Sequence, residues 1–234
     1  MNPWTYYPLA LLLLTGGAGQ TAFAETLAAD FDIPKIHTNV AFAGRSDRAI
    51  VADLLHAHGV EPSEENWQRF LAGYLGRLDD ALARHQGNVL PGVGELLSAL
   101  ADRGDVAIGL LTGNVREGAR RKLTYYNLWH WFAFGGFGDV HQERSGIAAA
   151  ALAAARLHLG DQQPTVSANG RASSHGEVIV IGDTLHDINC GRSIGARCVA
   201  VATGHVSLEE LATGSPDLVL RNLADSQAVL GLFK

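Results

Sequence analysis

The chain of 234 residues lacks three features that would assign it to a specialised class of protein. It has no block of basic residues and a net charge of −6, which disfavours a nucleic-acid-binding surface. Its two cysteines, Cys190 and Cys198, have no C-x-x-C spacing and form no disulfide framework, which favours a reducing cytoplasm. The N-terminal apolar run, Leu9 to Leu14, is too short to span a bilayer. We therefore expect a cytoplasmic globular protein that binds neither nucleic acid nor membrane.

The chain is long enough, and apolar enough, to bury a substantial core. Hydrophobic residues make up 47% of it. Such a length suits one large domain, or a core with a smaller insertion.

One stretch carries the first indication of chemistry. Val178 to Ile181 are all β-branched and end at Gly182, which predicts a buried parallel strand. Asp183 then lies at the carboxyl end of that strand, where open α/β sheets place their ligands, and Asp187 begins the next helix. Two carboxylates at one strand end suit a hard cation such as Mg²⁺. Alternatively, Asp183 caps the helix, and the residues alone leave both interpretations open.

Strand and helix patterns alternate along most of the chain. The predicted strands are Leu9–Leu14, Val106–Leu111, Phe132–Phe137, Val178–Ile181, Cys198–Ala202 and Leu218–Leu220. The predicted helices are Gln20–Phe31, Asp47–His58, one opening at Pro62–Glu65, Glu95–Arg103, Glu117–Tyr126, Ile147–His158, Ile188–Ile194 and one capped by Ser207. Regular alternation predicts an α/β fold with a Rossmann-like parallel sheet and helices on both faces. The helices before Glu95 would form a small cap, and residues 160 to 176 a polar loop.

Four short motifs, in this order and separation, carry a resemblance. They are Phe42–Asp47 (FAGRSD), Leu110–Asn114 (LLTGN), Gly182–Asp187 (GDTLHD) and Ala200–Gly204 (AVATG). The chain resembles the haloacid dehalogenase superfamily of phosphatases, in particular its phosphoglycolate-phosphatase-like branch with a small helical cap. The similarity runs from about Thr15 to the C-terminus.

The resemblance implies a division into two parts and a reaction. Residues 1–18 and 88–234 would form the Rossmann-like core, and residues 19–87 the helical cap. Such enzymes hydrolyse small phosphorylated metabolites with Mg²⁺, through an aspartyl-phosphate formed on the first strand. Asp183 would hold Mg²⁺ directly, and Asp187 would support it through water or by bonding to one of the ion's direct ligands.

The remaining site residues follow from the same resemblance. The hydroxyl of Thr112 and the backbone N–H of Gly113 would donate to phosphate oxygens, with Asn114 beside them, although Thr112 could instead be a helix N-cap. Arg144 stands roughly where the branch has its phosphate-neutralising cation, and Lys122 is the rival. Arg45 in the cap would meet the leaving group or form a surface ion pair.

The first catalytic motif is missing. Alignment on the glycine-rich turn after Leu14 puts Tyr7 in the place of the nucleophilic aspartate and Leu9 in the place of the acid/base, with Ala10 and Leu11 replacing Gly-Thr. No acidic residue precedes Glu25. A neutral phenol with a pKa of about 10 is a poor nucleophile, so we expect little or no phosphatase turnover.

Three hypotheses account for this departure. A frameshift or misplaced start could have replaced Met1 to about Leu11, which the intact downstream motifs favour. The chain could be a non-catalytic phosphate- or partner-binding relative. It could also be an exported protein whose signal ends near Ala24, which is the least favoured because cleavage would remove the first strand.

Overall fold

The structure is a computed structural model that describes residues 4–7, 12–36, 40, 42, 44–160, 178–204, 206–224 and 226–233. Its strands are β1 (Trp4–Tyr7), β2 (Leu13–Leu14), β3 (Asn88–Val89), β4 (Ala107–Leu111), β5 (Phe134–Gly136), β6 (Val178–Gly182), β7 (Arg197–Val201) and β8 (Leu218–Leu220). Its helices are α1 (Ala18–Phe31), α2 (Asp47–Ala57), α3 (Glu64–Arg84), α4 (Val93–Ala101), α5 (Arg116–Tyr125), α6 (Arg144–His158), α7 (Leu185–Ser193), α8 (Leu208–Thr213) and α9 (Ser226–Leu230).

Six strands form a parallel sheet in the order β5-β4-β1-β6-β7-β8. Side chains alternate between its faces, as strand geometry requires. Ile179 and Ile181 of β6 pack in the core cluster that contains α4, α5 and α9, whereas Val180 packs in the cluster with α6. Helices therefore cover both faces, and the predicted Rossmann-like α/β fold is confirmed.

The first strand of the sheet lies earlier than predicted. Trp4–Tyr7 is the central strand, between β4 and β6. Leu13–Leu14, which we had placed in that strand, instead pairs antiparallel with β3 in a separate two-stranded sheet. Residues 8–11 lie outside the described residues. The predicted place of this run in the main sheet is thus wrong for its described residues, because Trp4–Tyr7 occupies that place.

Helices α1, α2 and α3 follow β2 and build a core cluster of their own. Phe23 lies at its centre, with ring centroids 4.9 Å from Phe70 and 4.8 Å from Tyr74. Ser63 caps α3 by accepting a hydrogen bond from the N–H of Asn66. The aromatic residues of α3 therefore belong to a packed core, while the cap boundaries at residues 18/19 and 87/88 remain a prediction.

Two chain segments connect these helices to the large sheet, and they run side by side. The ring of His85 joins them: its Nδ1 lies 2.9 Å from the carbonyl oxygen of Gly16, and its Nε2 lies 2.8 Å from Oγ1 of Thr21. A Cβ on Gly16, whose φ is +62°, would lie 2.2 Å from the carbonyl oxygen of Gln86. Glycine is therefore required where the segments meet.

Two further expectations concern the rest of the chain. Within the described ranges, no helix has the length and apolar character needed to cross a membrane. The predicted polar loop 160–176 lies outside the described residues except for Gly160.

Candidate functional site

Three strands bring the candidate residues to one edge of the sheet. β1 pairs on one side with β4, where Tyr7 is opposite Leu110, and on the other with β6. Thr112 directly follows β4 and Asp183 directly follows β6. Because the carboxyl ends of parallel strands share an edge, Thr112 and Asp183 flank the end of β1, as in the ligand-binding crevice of open α/β sheets.

Thr112 opens a tight turn at this edge. Its side chain is buried, and its hydroxyl accepts a hydrogen bond from the backbone N–H of Asn114 at 3.1 Å. A hydroxyl that accepts one bond still has a proton to donate. Helix α5 begins later, with Val115 as its N-cap. The alternative that Thr112 is an N-cap is therefore wrong.

The turn is pressed against the loop that precedes α2. A Cβ on Gly113 would lie 2.3 Å from the carbonyl oxygen of Arg45, so only glycine permits this approach. The carbonyl oxygen of Gly113 accepts a hydrogen bond of 2.7 Å from the N–H of Asp47. Among the described residues, the N–H of Gly113 has no acceptor. It is therefore a backbone donor beside the Thr112 hydroxyl.

Asn114 is held by two protein groups. Its Nδ2 donates to Oδ1 of Asp47 at 3.2 Å, and its Oδ1 accepts from Nζ of Lys122 at 2.6 Å. In this structure its side chain connects the loop before α2 with helix α5. Its predicted contact with substrate remains a prediction.

Asp187 uses both carboxylate oxygens within the protein. Its Oδ2 accepts hydrogen bonds from the N–H of Asp183 (3.2 Å) and from the N–H and hydroxyl of Thr184 (3.1 and 2.7 Å). Its Oδ1 forms an ion pair with Arg144. Thr184 is the N-cap of α7 and completes a capping box with Asp187. The alternative that Asp183 caps this helix is therefore wrong.

The fit of the site to Mg²⁺ depends on these bonds. Over the described part of the chain, no group of three or more His, Cys, Asp or Glu side chains could hold a metal ion. Asp187 is committed to the helix cap and to Arg144, so it could support an ion only indirectly, through the N–H of Asp183 that it binds. Asp183 is buried at the strand end, and its Oδ2 would lie 2.4 Å from a Cβ on Gly204. Among the described residues, Asp183 is thus the carboxylate at this edge that is not committed to the helix cap, and Mg²⁺ binding remains a prediction.

The two candidate cations lie on opposite sides of the site. Arg144 is the first residue of α6, three residues before the predicted helix start at Ile147, and its side chain is 16% exposed beside Asp187. Lys122 is buried under the Thr112 turn, with Nζ 6.0 Å from the centre of the Tyr74 ring. Which of them neutralises a phosphate remains a prediction.

Arg45 lies in the loop before α2. Its guanidinium forms an ion pair of 2.7 Å with Asp53, which lies in α2. The surface ion pair that we considered is therefore present, and contact with a leaving group stays a prediction. Beside it, a Cβ on Gly44 would lie 2.3 Å from Cδ2 of His186. The loop thus touches α7 as well as the Thr112 turn.

Sequence reasoning missed Asp47, although it belongs to the quoted FAGRSD motif. Asp47 is 5% exposed and binds the Thr112 turn through both its side chain and its backbone. Burial raises its pKa, an effect that the positive charge of Lys122 opposes. An aspartate in the first turn of a helix normally indicates only a favourable charge for the helix dipole. Its side-chain partners are 67 and 68 positions away, which a local pattern cannot reveal.

A known family model matches one part of the chain. Residues 147–226 match the family model described as HAD-hydrolase-like. A search of curated proteins finds no significant match.

Solved structures extend the likeness over the whole chain. CbbY from Rhodobacter sphaeroides in complex with phosphate is 17% identical, with a TM-score of 0.69 and coverage of 96% of both chains. A predicted phosphoglycolate phosphatase from Haemophilus somnus is 17% identical, with a TM-score of 0.65, covering 99% of this chain and 97% of its own. A haloacid dehalogenase-like family hydrolase from Streptococcus pneumoniae is 16% identical, with a TM-score of 0.61 and coverage of 99% and 98%. The chain thus has the haloacid dehalogenase-like fold, and the resemblance predicted from its motifs is confirmed.

Proposed function

We propose that this chain has a site built for Mg²⁺-dependent hydrolysis of small phosphate monoesters of the phosphoglycolate kind, and that in its present sequence it binds phosphate with little or no turnover. The observation that carries the proposal is the position of two donors, the Thr112 hydroxyl and the Gly113 N–H, at the same sheet edge as Asp183. This edge is where ligands bind in folds of this type.

Each group has a defined task in this proposal. The Thr112 hydroxyl and the Gly113 N–H donate to phosphate oxygens, and Arg144 supplies positive charge from the opposite side. Asp183 would hold Mg²⁺, and Asp187 would keep the Asp183 backbone and Arg144 in place. A bound Mg²⁺ would neutralise charge on the phosphate.

Loss of turnover follows from the sequence of the first strand. β1 ends at Tyr7, and its next residues are Pro8 and Leu9, so no carboxylate follows the strand. Without one, no aspartyl-phosphate can form and no acid can protonate the leaving group.

The proposal is tested by hydrolysis of a panel of small phosphate monoesters with Mg²⁺. The unaltered chain is compared with a variant carrying Tyr7→Asp, Leu9→Asp, Ala10→Gly and Leu11→Thr, of which the last three positions lie outside the described residues. We expect turnover only in the variant, and its loss when Asp183→Asn is added. Turnover by the unaltered chain that Asp183→Asn abolishes would contradict the proposal.

A second candidate function is a non-catalytic relative that binds phosphate or a partner. It is favoured by the lack of any acidic residue before Glu25. The variant with four substitutions separates the two candidates. If it is folded and binds phosphate but hydrolyses no ester, the non-catalytic candidate is supported. If it hydrolyses an ester, the first strand alone prevented turnover.

A further inference from the structure

Asp47, the first residue of α2, holds the Thr112 turn through three hydrogen bonds. Its Oδ2 accepts from the N–H of Val115 at 2.9 Å, and its Oδ1 accepts from Nδ2 of Asn114 at 3.2 Å. Its own N–H donates to the carbonyl oxygen of Gly113 at 2.7 Å. One buried residue therefore fixes the backbone of the segment that offers the Gly113 N–H.

Lys122 completes this arrangement from helix α5. Its Nζ donates to Oδ1 of Asn114 at 2.6 Å, so the Asn114 amide bridges the two opposite charges of Asp47 and Lys122. Both charged side chains are buried, at 5% and 7% exposure. We call Asp47, Asn114 and Lys122 the clamp.

The surroundings of the clamp make each charge dependent on the other. Burial lowers the pKa of Lys122, and the negative charge of Asp47 opposes that shift. The Tyr74 hydroxyl nearby is buried and has no hydrogen-bond partner in the described structure. Removing one partner from such a pair leaves an uncompensated buried charge, which is costly. Each charge therefore favours the ionised form of the other group.

The clamp also seats the loop before α2 against the site. A Cβ on Gly138 would lie 2.0 Å from the carbonyl oxygen of Gly113. The same oxygen accepts the hydrogen bond from the N–H of Asp47. The hydroxyl of Ser46, next to Asp47, donates to the carbonyl oxygen of Gln142 at 2.9 Å. A shift of the Thr112 turn would therefore disturb this loop, and a shift of the loop would disturb the turn.

We propose that Asp47 is a positioning residue for phosphate binding. Bridged to Lys122 by Asn114, it holds the Thr112 turn in its phosphate-binding conformation and keeps Arg45 and Ser46 in contact with that turn. The inference rests on the proposed function, since it assigns phosphate to this turn. It adds a residue that contacts no substrate and acts through the backbone of Gly113 and Val115.

The test compares Asp47→Asn, Lys122→Met and the double variant with the unaltered chain by titration calorimetry with inorganic phosphate and Mg²⁺. The control is Asp30→Asn, which removes a carboxylate that forms an ion pair with Arg77 in the helices α1 and α3. We expect Asp47→Asn to weaken phosphate binding at least about tenfold, because a charged acceptor of two bonds is lost, and Asp30→Asn to leave binding unchanged.

The double variant separates positioning from stability. It removes both buried charges, so we expect its melting temperature to recover towards that of the unaltered chain while phosphate binding stays weak. Amide hydrogen exchange at Asn114 and Val115, whose N–H groups are hydrogen-bonded, should be faster in all three clamp variants and unchanged in the control. These results would support a positioning role.

Two outcomes would overturn the inference, and they are distinguishable. Phosphate binding and amide exchange that are unchanged in Asp47→Asn would overturn the role of the clamp while leaving the proposed function intact. Absence of phosphate binding by the unaltered chain would overturn the proposed function and, with it, this inference.

Discussion

Asp187 shows how much of the site depends on single side chains. One carboxylate oxygen completes the cap of α7 and binds the N–H of Asp183, while the other neutralises Arg144. With only 3% of its side chain exposed, Asp187 cannot exchange these partners for water. The helix cap, the strand end and the candidate phosphate cation are therefore linked through one residue.

We expect Asp187→Asn to lower the free energy of unfolding by about 3–5 kcal/mol, because Arg144 would remain as an unpaired, largely buried charge. Urea unfolding monitored by circular dichroism measures this change. The matched control is Asp105→Asn, which breaks the more exposed pair with Arg103 and should cost far less, because water screens an exposed ion pair. An equal loss of unfolding free energy in the two variants would contradict the role of Asp187 in neutralising a buried Arg144.

The sequence indicated most of the site residues but not all of their partners. Thr112 and Asp183 were placed correctly at strand ends, because apolar β-branched or aliphatic runs mark the strands before them. Their alternative roles as helix caps were wrong, because Thr184 and Val115 occupy those positions. Asp47 was missed because its partners come from a distant part of the chain, which no local pattern records.

At the scale of elements, β1 illustrates the limit of hydrophobic pattern. The leucine-rich run before the glycine turn has the apolar content of a buried strand, yet its described end pairs with β3 outside the main sheet. The central strand, Trp4–Tyr7, is short and contains Thr5. Aromatic and β-branched residues favour strands, but this weaker signal was outweighed by the apolar run, and the strand over Trp4–Tyr7 was not predicted.

Helix α5 carries an electrostatic feature that can be measured separately. Glu117 accepts hydrogen bonds from Arg120 and Arg121, which lower its pKa from 4.5 to about 2. Because the pKa in the folded state lies below the ordinary value, the ionised carboxylate stabilises the fold above about pH 4.5, and this contribution is lost as the pH falls towards 2.

We therefore expect Glu117→Gln to be less stable than the unaltered chain near neutral pH by about 0.5–1 kcal/mol, a small value because the side chain is 38% exposed. Near pH 2 the difference should largely vanish. Urea unfolding at both pH values measures it. A difference of the same size at both would show that the carboxylate does not act through its charge.

At the scale of the whole molecule, the site lies where the helices α1–α3 meet the large sheet. The order of strands and helices, and the insertion of helices before β4, could be predicted from periodicity and turn residues. The contact between the loop before α2 and the Thr112 turn could not. It depends on glycines at which two backbones touch, such as Gly113 against Arg45.

Two glycine substitutions, one at this contact and one away from it, should have different effects. Gly113→Ala would place a methyl group 2.3 Å from the Arg45 carbonyl oxygen, so it should displace the loop and weaken phosphate binding. Gly76→Ala, in the interior of α3, meets nothing within 4 Å and should raise the free energy of unfolding by about 0.5–1 kcal/mol with binding unchanged. Calorimetric phosphate titration and thermal melting of both variants measure these effects. Unaltered phosphate binding by Gly113→Ala would be inconsistent with the contact as described.

The most direct measurement of the central claim is the binding of inorganic phosphate, with Mg²⁺, to the unaltered chain and to Thr112→Val. Valine keeps the shape of threonine and removes the hydroxyl that is proposed to donate to phosphate. Hydrogen bonds to charged groups contribute about 1.5–3 kcal/mol, so we expect the unaltered chain to bind phosphate and the variant to bind at least about tenfold more weakly. Equal affinities, or no binding by the unaltered chain, would contradict a phosphate site at this edge of the sheet.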